Sequence, residues 1–484
     1  MTKKLITKQP ISLLDGIDRK TGEIIDKNHE LYGQSIAGVE LHFPISSGST
    51  VGVMTLIELK ENNKAPTKIV LEEPDTNVIA GCILASIPIS IQDQPITKLP
   101  EGEIKKISHL PEFLQDLLIR EAEILGAEGF IPIERVQIAG VSYKTIGEGG
   151  IKVLKYFANK KLKFTVPTTL NPAGMDLEDW QAQGIPNQFA KKQTQIINLF
   201  KQMGANLSVT CVPYDLLELK SGSHVAFGES SAVAYINSVL NVKTNRENAV
   251  KTLISALSGF TTNLGMHLDI NRTPDVEIKV ECKLTSRADY GALGYYAGSH
   301  SNIPYYKGIN PNTTQLKALA AAGAASGSIP LFFIEGIPNM KPKSETIIEK
   351  TISFTQNDLI NVYNELTTAS AKPDLISIGC PHLNLQELKE LIEMIKGRVF
   401  EIPAWISTAA IFKEKLRKEN LIKSLEQSNI KIYSDCCVVV APIELIGYKT
   451  IGTDSAKAAK YLPLFSNCDV VFNSIDNLIK FYSK

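Results

Sequence analysis

Three cysteines stand where soft-metal chemistry could use them. Cys211 closes "NLSVTC", Cys380 closes "LISIGC" and Cys437 closes "IKIYSDCC", each after an apolar run with strand character. In open α/β sheets the carboxyl ends of strands line the ligand crevice, so residues in that slot meet although they are distant in sequence. Three thiolates gathered there suit a soft metal ion or an iron–sulfur cluster. Three protein ligands also leave a coordination position that a substrate could fill. No Cys-x-x-Cys spacing accompanies them, and buried free thiols serve equally as small apolar side chains. Position alone therefore leaves metal binding and packing open. His382, two residues past Cys380, is a candidate fourth ligand or a hydrogen-bonding residue at a helix entry. The other cysteines read as structural: Cys82 inside "VIAGCILASI", Cys282 within "VEIKVECKL", Cys468 before "DVVF", and Cys436 facing away from its neighbour Cys437.

The elements that must position these residues fall into two regions. Residues 1–95 read as mostly β: "SIAGVELHFPI", "VGVMTLIELK", "TKIVLEE" and "NVIAGCILASIPI" are short apolar or alternating runs broken by Gly, Ser, Asn and Pro. A stretch rich in proline and charge begins near Gln92, and residues 96–110 are taken as a linker. From there to residue 484, helical patterns alternate with strands, which predicts an α/β region with a largely parallel sheet. Residues 187–203 place Phe189, Ile196, Leu199, Phe200 and Met203 on one helical face, with Gly204 as the stop signal. "KLKFTVPTTL" and "IPLFFIEG" read as strands, and the Ala-rich "LKALAAAGAASGS" as one tightly packed helix.

Composition narrows the function classes. Of 484 residues, 44% are apolar and 21% charged, as in an ordinary globular protein. Lys+Arg and Asp+Glu both number 51, so the net charge of +0 lacks the basic footprint of a nucleic-acid or anionic-membrane binder. No apolar run reaches the roughly 18 residues of a membrane span or forms a signal peptide. Seven scattered cysteines give no disulfide framework. A cytoplasmic setting with reduced thiols is the expectation.

Longer motifs carry a family resemblance. "TVPTTLNPAGMD", "TCVPYDLL", "GESSAVAYINSVLNVKTNRE", "HLDINR", "GALGYYAG", "IGCPHL" and "SAKAAKYLP" resemble the large catalytic part of the aconitase X family. "GIDRKTGEIIDKNHELYGQSIAGVELHFP" and "SSGSTVGVMTLIELKENNKAP" resemble its small swivelling part. The resemblance implies an N-terminal mostly-β swivelling domain fused to a large, multi-layer α/β catalytic region of the aconitase superfamily type, needing no separate small subunit. It implies a hydro-lyase that removes water from a small hydroxy acid, with an iron–sulfur cluster ([4Fe-4S] or [2Fe-2S]) or a mononuclear iron as Lewis acid. Monomer and homo-oligomer both remain open. Fused architecture leans toward cis-3-hydroxy-L-proline as substrate, with mevalonate 5-phosphate or a related hydroxy acid as the alternative.

The same resemblance assigns residues. Cys211, Cys380 and Cys437 match the metal ligands, with Cys436 standing where the family has threonine. Ser49 matches the base, a weak one that must be held as alkoxide by neighbouring donors. Gly140, Val141, Ser142, Asn171, Pro172, Glu229, Ser230 and Lys457 match the substrate contacts. Two departures are visible. The loop reads Ser46-Ser47-Gly48-Ser49 where the family has Gly-Arg-Gly-Ser, so a guanidinium able to grip a carboxylate is missing. Gln137 stands where the family often has His. A cluster protein that senses iron or redox state without catalysis, and a zinc-binding variant, are the competing expectations.

Overall fold

The computed structural model describes residues 3–47, 52–93, 96–342 and 346–484. Its N-terminal part is a four-stranded parallel sheet in the order Lys4–Ile6, Glu40–Phe43, Lys68–Leu71, Ile89–Ile91. Parallel neighbours require crossovers, and the last two are made by helices α1 (Val53–Glu61) and α2 (Thr76–Ala85). The N-terminal part is thus α/β rather than mostly β. "VGVMTLIELK" and "NVIAGCILASIPI", read as strands, are largely these two helices. Both are buried on several faces, so their apolar residues carry no helical period to read. Strands do form in "SIAGVELHFPI" and "TKIVLEE".

The expected linker 96–110 contains a short helix, α3 (Glu101–Lys106), whose Glu103 accepts from the Phe130 backbone N–H at 3.0 Å. Next come α4 (Glu112–Leu125), α5 (Tyr143–Asn159) and α6 (Asn187–Met203). The last has the bounds its periodicity predicted, and Gly204 closes it in a left-handed conformation. The N-terminal part and the first layer of the catalytic region share one apolar core, running from Leu5 through Val53, Leu56 and Cys82 to Leu118, Phe157 and Leu257.

Two parallel sheets of the catalytic region bear on function. A three-stranded sheet has Val136–Ile138 at its centre, Thr168–Leu170 on one side and Ala226–Phe227 on the other. A five-stranded sheet runs Ile430–Ser434, Ala404–Thr408, Leu375–Leu383, Thr450–Thr453, Asp469–Phe472. In each, the chain proceeds outward one way and then returns to the other side of a middle strand. That reversal opens a crevice at the carboxyl ends. A third parallel sheet, with Val276–Val280 and Pro304–Lys307 at its centre, is layered with the Ala-rich helix Thr313–Gly327. That helix touches Arg287–Gly298 so closely that a Cβ on Gly327 would lie 2.0 Å from the Gly298 carbonyl oxygen.

Candidate active site

Both crevices open onto one narrow cleft, with a cavity volume of about 90 Å³. From the three-stranded sheet come Gly140, Val141 and Ser142 after the central strand, Asn171 and Pro172 after its neighbour, and Glu229 and Ser230 after the third. From the five-stranded sheet come Cys380 on its middle strand, Cys437 beyond Ile430–Ser434, and Lys457 beyond Thr450–Thr453. Cys211 joins them. All three cysteines and all eight expected substrate contacts therefore line the same cleft. Ser49 lies outside the described residues.

The three cysteines do not arrive as three strand ends. "NLSVTC" is an extended segment making a single bridge, Val209 to Leu170, and only "IKIYS" forms a strand before Asp435 turns the chain with φ +62°. Leu375–Leu383 continues past Cys380 to Leu383, its register with Ala404–Thr408 shifting between Ile378 and Leu383. Gly379 makes that shift possible. Its φ is +101°, and a Cβ there would sit 2.4 Å from the Ser407 carbonyl oxygen.

The thiols differ in acidity. Cys380 accepts a hydrogen bond from Cys437, which together with Lys457 and Ser455 outweighs burial and holds its thiol down at about 7. Cys437, the donor of that bond, is pushed well up, and burial pushes up Cys211. The His382 N–H donates to Cys211 Sγ at 3.2 Å. The His382 ring turns away from the cleft: Nδ1 meets Thr210 Oγ1 at 3.0 Å and Nε2 the Cys436 carbonyl at 2.6 Å. It acts as a hydrogen bonder and not a ligand. Cys436 faces away from the cleft, toward Gln183 Nε2 at 3.5 Å. Gln137 is a backbone anchor, donating to the Thr210 carbonyl at 2.8 Å. Among the described residues no group of three or more His, Cys, Asp or Glu side chains is drawn together closely enough to hold a metal ion. The expected ligand set shares a cleft without forming a compact chelate.

Opposite the thiols lies an ion pair. Glu229 is the N-cap of helix Ser230–Val239, accepting from the Ser231 N–H at 3.3 Å and Ser231 Oγ at 2.9 Å. Burial opposes its charge, but the Lys457 ammonium, bonded directly to it, and Asn171 Nδ2 at 2.8 Å bring its pKa down to about 2. Glu229 thus caps the helix, as its sequence position allowed, and also lines the cleft. Asn171 Oδ1 is buried without a hydrogen-bond donor among the described residues. It is an unfilled acceptor on a residue that lines the cleft. Ser142 caps α5 and donates to the Val440 carbonyl at 2.7 Å, fixing the helix N-terminus at the cleft wall.

Three features escaped the sequence reading. Arg246 lines the cleft beside Glu229, with Nη1 donating to Ser328 Oγ at 2.7 Å. It sits in the "TNRE" end of a family motif, yet nothing in its spacing marked it. Asp75 is buried at the start of α2 and accepts from Ser46 N at 2.7 Å and Ser46 Oγ at 2.5 Å, which anchors Ser46. Thr145 also lines the cleft, one turn into α5.

Comparison with known proteins identifies the family. The aconitase X swivel domain matches residues 2–113, the first domain 103–270, the second 274–364 and the third 373–483. The phosphomevalonate dehydratase large subunit of Methanocaldococcus jannaschii is 41% identical over 378 residues, covering 75% of this chain and 94% of that one. The cis-3-hydroxy-L-proline dehydratase of Pseudomonas aeruginosa is 27% identical over 519 residues, covering 94% of this chain and 89% of that one. The crystal structure of Thermococcus kodakaraensis aconitase X in its holo-form superposes with a TM-score of 0.72 at 35% identity, covering 80% of this chain and all of that one. With swivelling and catalytic parts joined in a single polypeptide, the chain belongs to the aconitase X family of hydro-lyases.

Proposed function

We propose that this enzyme removes water from a small β-hydroxy acid in the cleft between the thiols and the Glu229–Lys457 pair. The observation that carries the reading is this convergence: three cysteines from separate segments face one cleft with a buried ion pair and an unfilled amide acceptor. Elimination of a β-hydroxyl needs a better leaving group and a base for the carbon acid.

Cys211, Cys380 and Cys437 would hold an iron–sulfur group, which when bound supplies a Lewis acid for the departing hydroxyl. Thiolates are the donors that iron–sulfur groups take. Cys380, whose thiol is held below its ordinary value by Cys437, Lys457 and Ser455, suits that donor role. Lys457 and Arg246 offer positive charge to a carboxylate or phosphate, and the capped start of α5 offers backbone N–H groups. Asn171 Oδ1 would accept from the substrate and orient it. Ser49, outside the described residues, is the base in this reading.

Identity of 41% over nearly the whole M. jannaschii subunit, against 27% for the P. aeruginosa enzyme, favours mevalonate 5-phosphate as substrate. The fused lay-out, which the P. aeruginosa enzyme matches over 94% of this chain, favours cis-3-hydroxy-L-proline as the second reading. Reduced thiols belong to a cytoplasmic setting; no helix among the described residues is long and apolar enough to cross a membrane. The test is anaerobic purification, metal analysis with electron paramagnetic resonance, and an assay of water loss from each acid. Iron with turnover of either acid supports the reading. Iron without turnover points to a sensing role, and zinc overturns the cofactor assignment.

A further inference from the structure

Helix α5 is broken near its beginning. It starts from Ser142 on the cleft wall, and at Gly147 the backbone leaves the helix with φ +56° and ψ −158° before resuming. A break of this kind strands a carbonyl before it and an N–H after it, and such groups need partners when half-buried. Both partners here come from the swivelling part. Arg19 Nη2 donates to the Thr145 carbonyl at 3.1 Å, Glu58 Oε1 accepts from the Gly149 N–H at 2.8 Å, and Arg19 pairs with Glu58 at 3.5 Å.

The contact is shaped for these two side chains. A Cβ on Gly147 would lie 2.7 Å from Glu58 Oε1 and 3.0 Å from Arg19 Nη1, and one on Gly149 only 2.4 Å from Glu58 Cγ. The glycines of "IGEGG" thus provide the turn at Gly147 and, with Gly149, the clearance that admits a neighbouring part's ion pair. Nearby, Lys152 and Glu61 also pair across the seam at 2.6 Å, but that pair is solvent-facing and replaces no helical bond. The clasp has reach in both directions. Thr145 and Ser142, on the near side of the break, line the cleft. Glu58 sits on α1, which begins at Val53.

We propose that Arg19 and Glu58 are positioning residues for the reaction: they complete the broken start of α5 and so fix the Ser142–Thr145 wall and α1 as one unit. The kinetic part of this claim rests on the dehydratase reading; the conformational part does not. The experiment compares Glu58→Ala, Glu58→Gln and, as a seam control, Glu61→Ala, each as the full iron-loaded chain.

In Glu58→Ala, kcat/KM falls about 10- to 100-fold, the scale of a small misplacement away from the reacting atoms. Iron content is unchanged, and hydrogen exchange across 143–150 quickens about tenfold or more. Glu58→Gln, which keeps the acceptor oxygen for Gly149, recovers most of both, and Glu61→Ala alters neither. Unchanged exchange in Glu58→Ala, or faster exchange with kcat/KM within twofold of wild type, overturns the proposal. Should Glu58→Ala fail to fold, Glu58→Gln matching wild type in exchange while Arg19→Gln quickens it supports the clasp, and wild-type exchange in both overturns it. Should wild type turn over neither acid, the dehydratase reading fails by itself. Exchange in Glu58→Ala against Glu61→Ala then still decides whether the clasp sets the wall.

Discussion

The catalytic region and the swivelling part use charge in opposite ways. Behind the thiols, Lys317 is fully buried between Glu387 at 2.6 Å, Asp215 at 3.0 Å and the His382 carbonyl at 3.1 Å. Lys413 likewise bridges Asp176 at 2.8 Å and Asp179 at 2.7 Å, and Asp176 in turn accepts from the Ser434 N–H at 2.7 Å, just before the cysteine pair. Where the swivelling part meets α5, the pairs are Arg19–Glu58 and the solvent-facing Lys152–Glu61. Charge taken wholly out of water demands a fixed partner geometry, whereas the exposed Lys152–Glu61 pair leaves the apolar core to hold the parts together, with the mostly buried Arg19–Glu58 pair between these extremes. The difference teaches where each half gets its order. The thiol side is specified by buried polar networks, and the swivelling side by packing plus a few backbone bonds at a helix break.

The largest expected effect lies on the thiol side. Cys211→Ser, Cys380→Ser and Cys437→Ser should each lose iron and lower turnover by about a thousandfold or more, because an alcohol does not replace a soft thiolate ligand. Cys436→Ser, one residue away but facing Gln183, should keep both. Iron analysis and the dehydration assay check this. Equal damage from Cys436→Ser would break the assignment of ligands to the cleft face.

Next in size is a contrast in stability. Lys317→Met strands two buried carboxylates, Glu387 and Asp215, and should cost about 3–5 kcal/mol. Urea unfolding measures it. Lys152→Met at the seam should leave the midpoint unmoved, since the ammonium is solvent-exposed. Comparable losses from the two would erase the distinction between the regions.

How much of this could be read from the sequence follows the same division. The 187–203 helix with its Gly204 stop and the capping Glu229 were legible because each has a local signature of period or cap; the three thiols were singled out as strand ends, which they are not, and it was the family resemblance that put them in one cleft. The swivelling part was misread at Val53–Glu61 and Thr76–Ala85. Their buried residues surround the helix, so the run reads like a strand. The extension of Leu375–Leu383 past Cys380 depends on Gly379 crossing close to Ser407, a tertiary contact with no sequence period. Arg19 and Glu58 were invisible for the same reason: their partners are backbone groups more than 90 residues away. The glycines of "IGEGG" were the available signal, since three glycines in a helical pattern ask for a close neighbour.

The smallest expected effect sets the two regions against each other in pH. In the catalytic region, burial and then the neighbouring His224, 2.9 Å away Nδ1 to Nδ1, hold His267 down at about 3. The unfolded chain therefore binds more protons than the native one below the ordinary histidine value of about 6.5, and stability is lost as pH falls from there toward 3. Between pH 6.5 and 5 that amounts to about 2 kcal/mol.

In the swivelling part the sign reverses. Burial raises Asp15 from 3.8 to about 6, with Arg19 opposing. The native form holds its proton longer than the unfolded one, so this contribution is complete below 3.8 and is lost as pH rises through 6. Because Asp15 is only half-buried, its share should stay below about 2 kcal/mol. Hydrogen exchange resolved by region should then show the catalytic region gaining protection from pH 5 to 6.5 while the strands around Asp15 lose it. His267→Gln should flatten the first trend alone and Asp15→Asn the second alone. Parallel trends in the two regions would mean that the shared core, and not local burial of these groups, governs both.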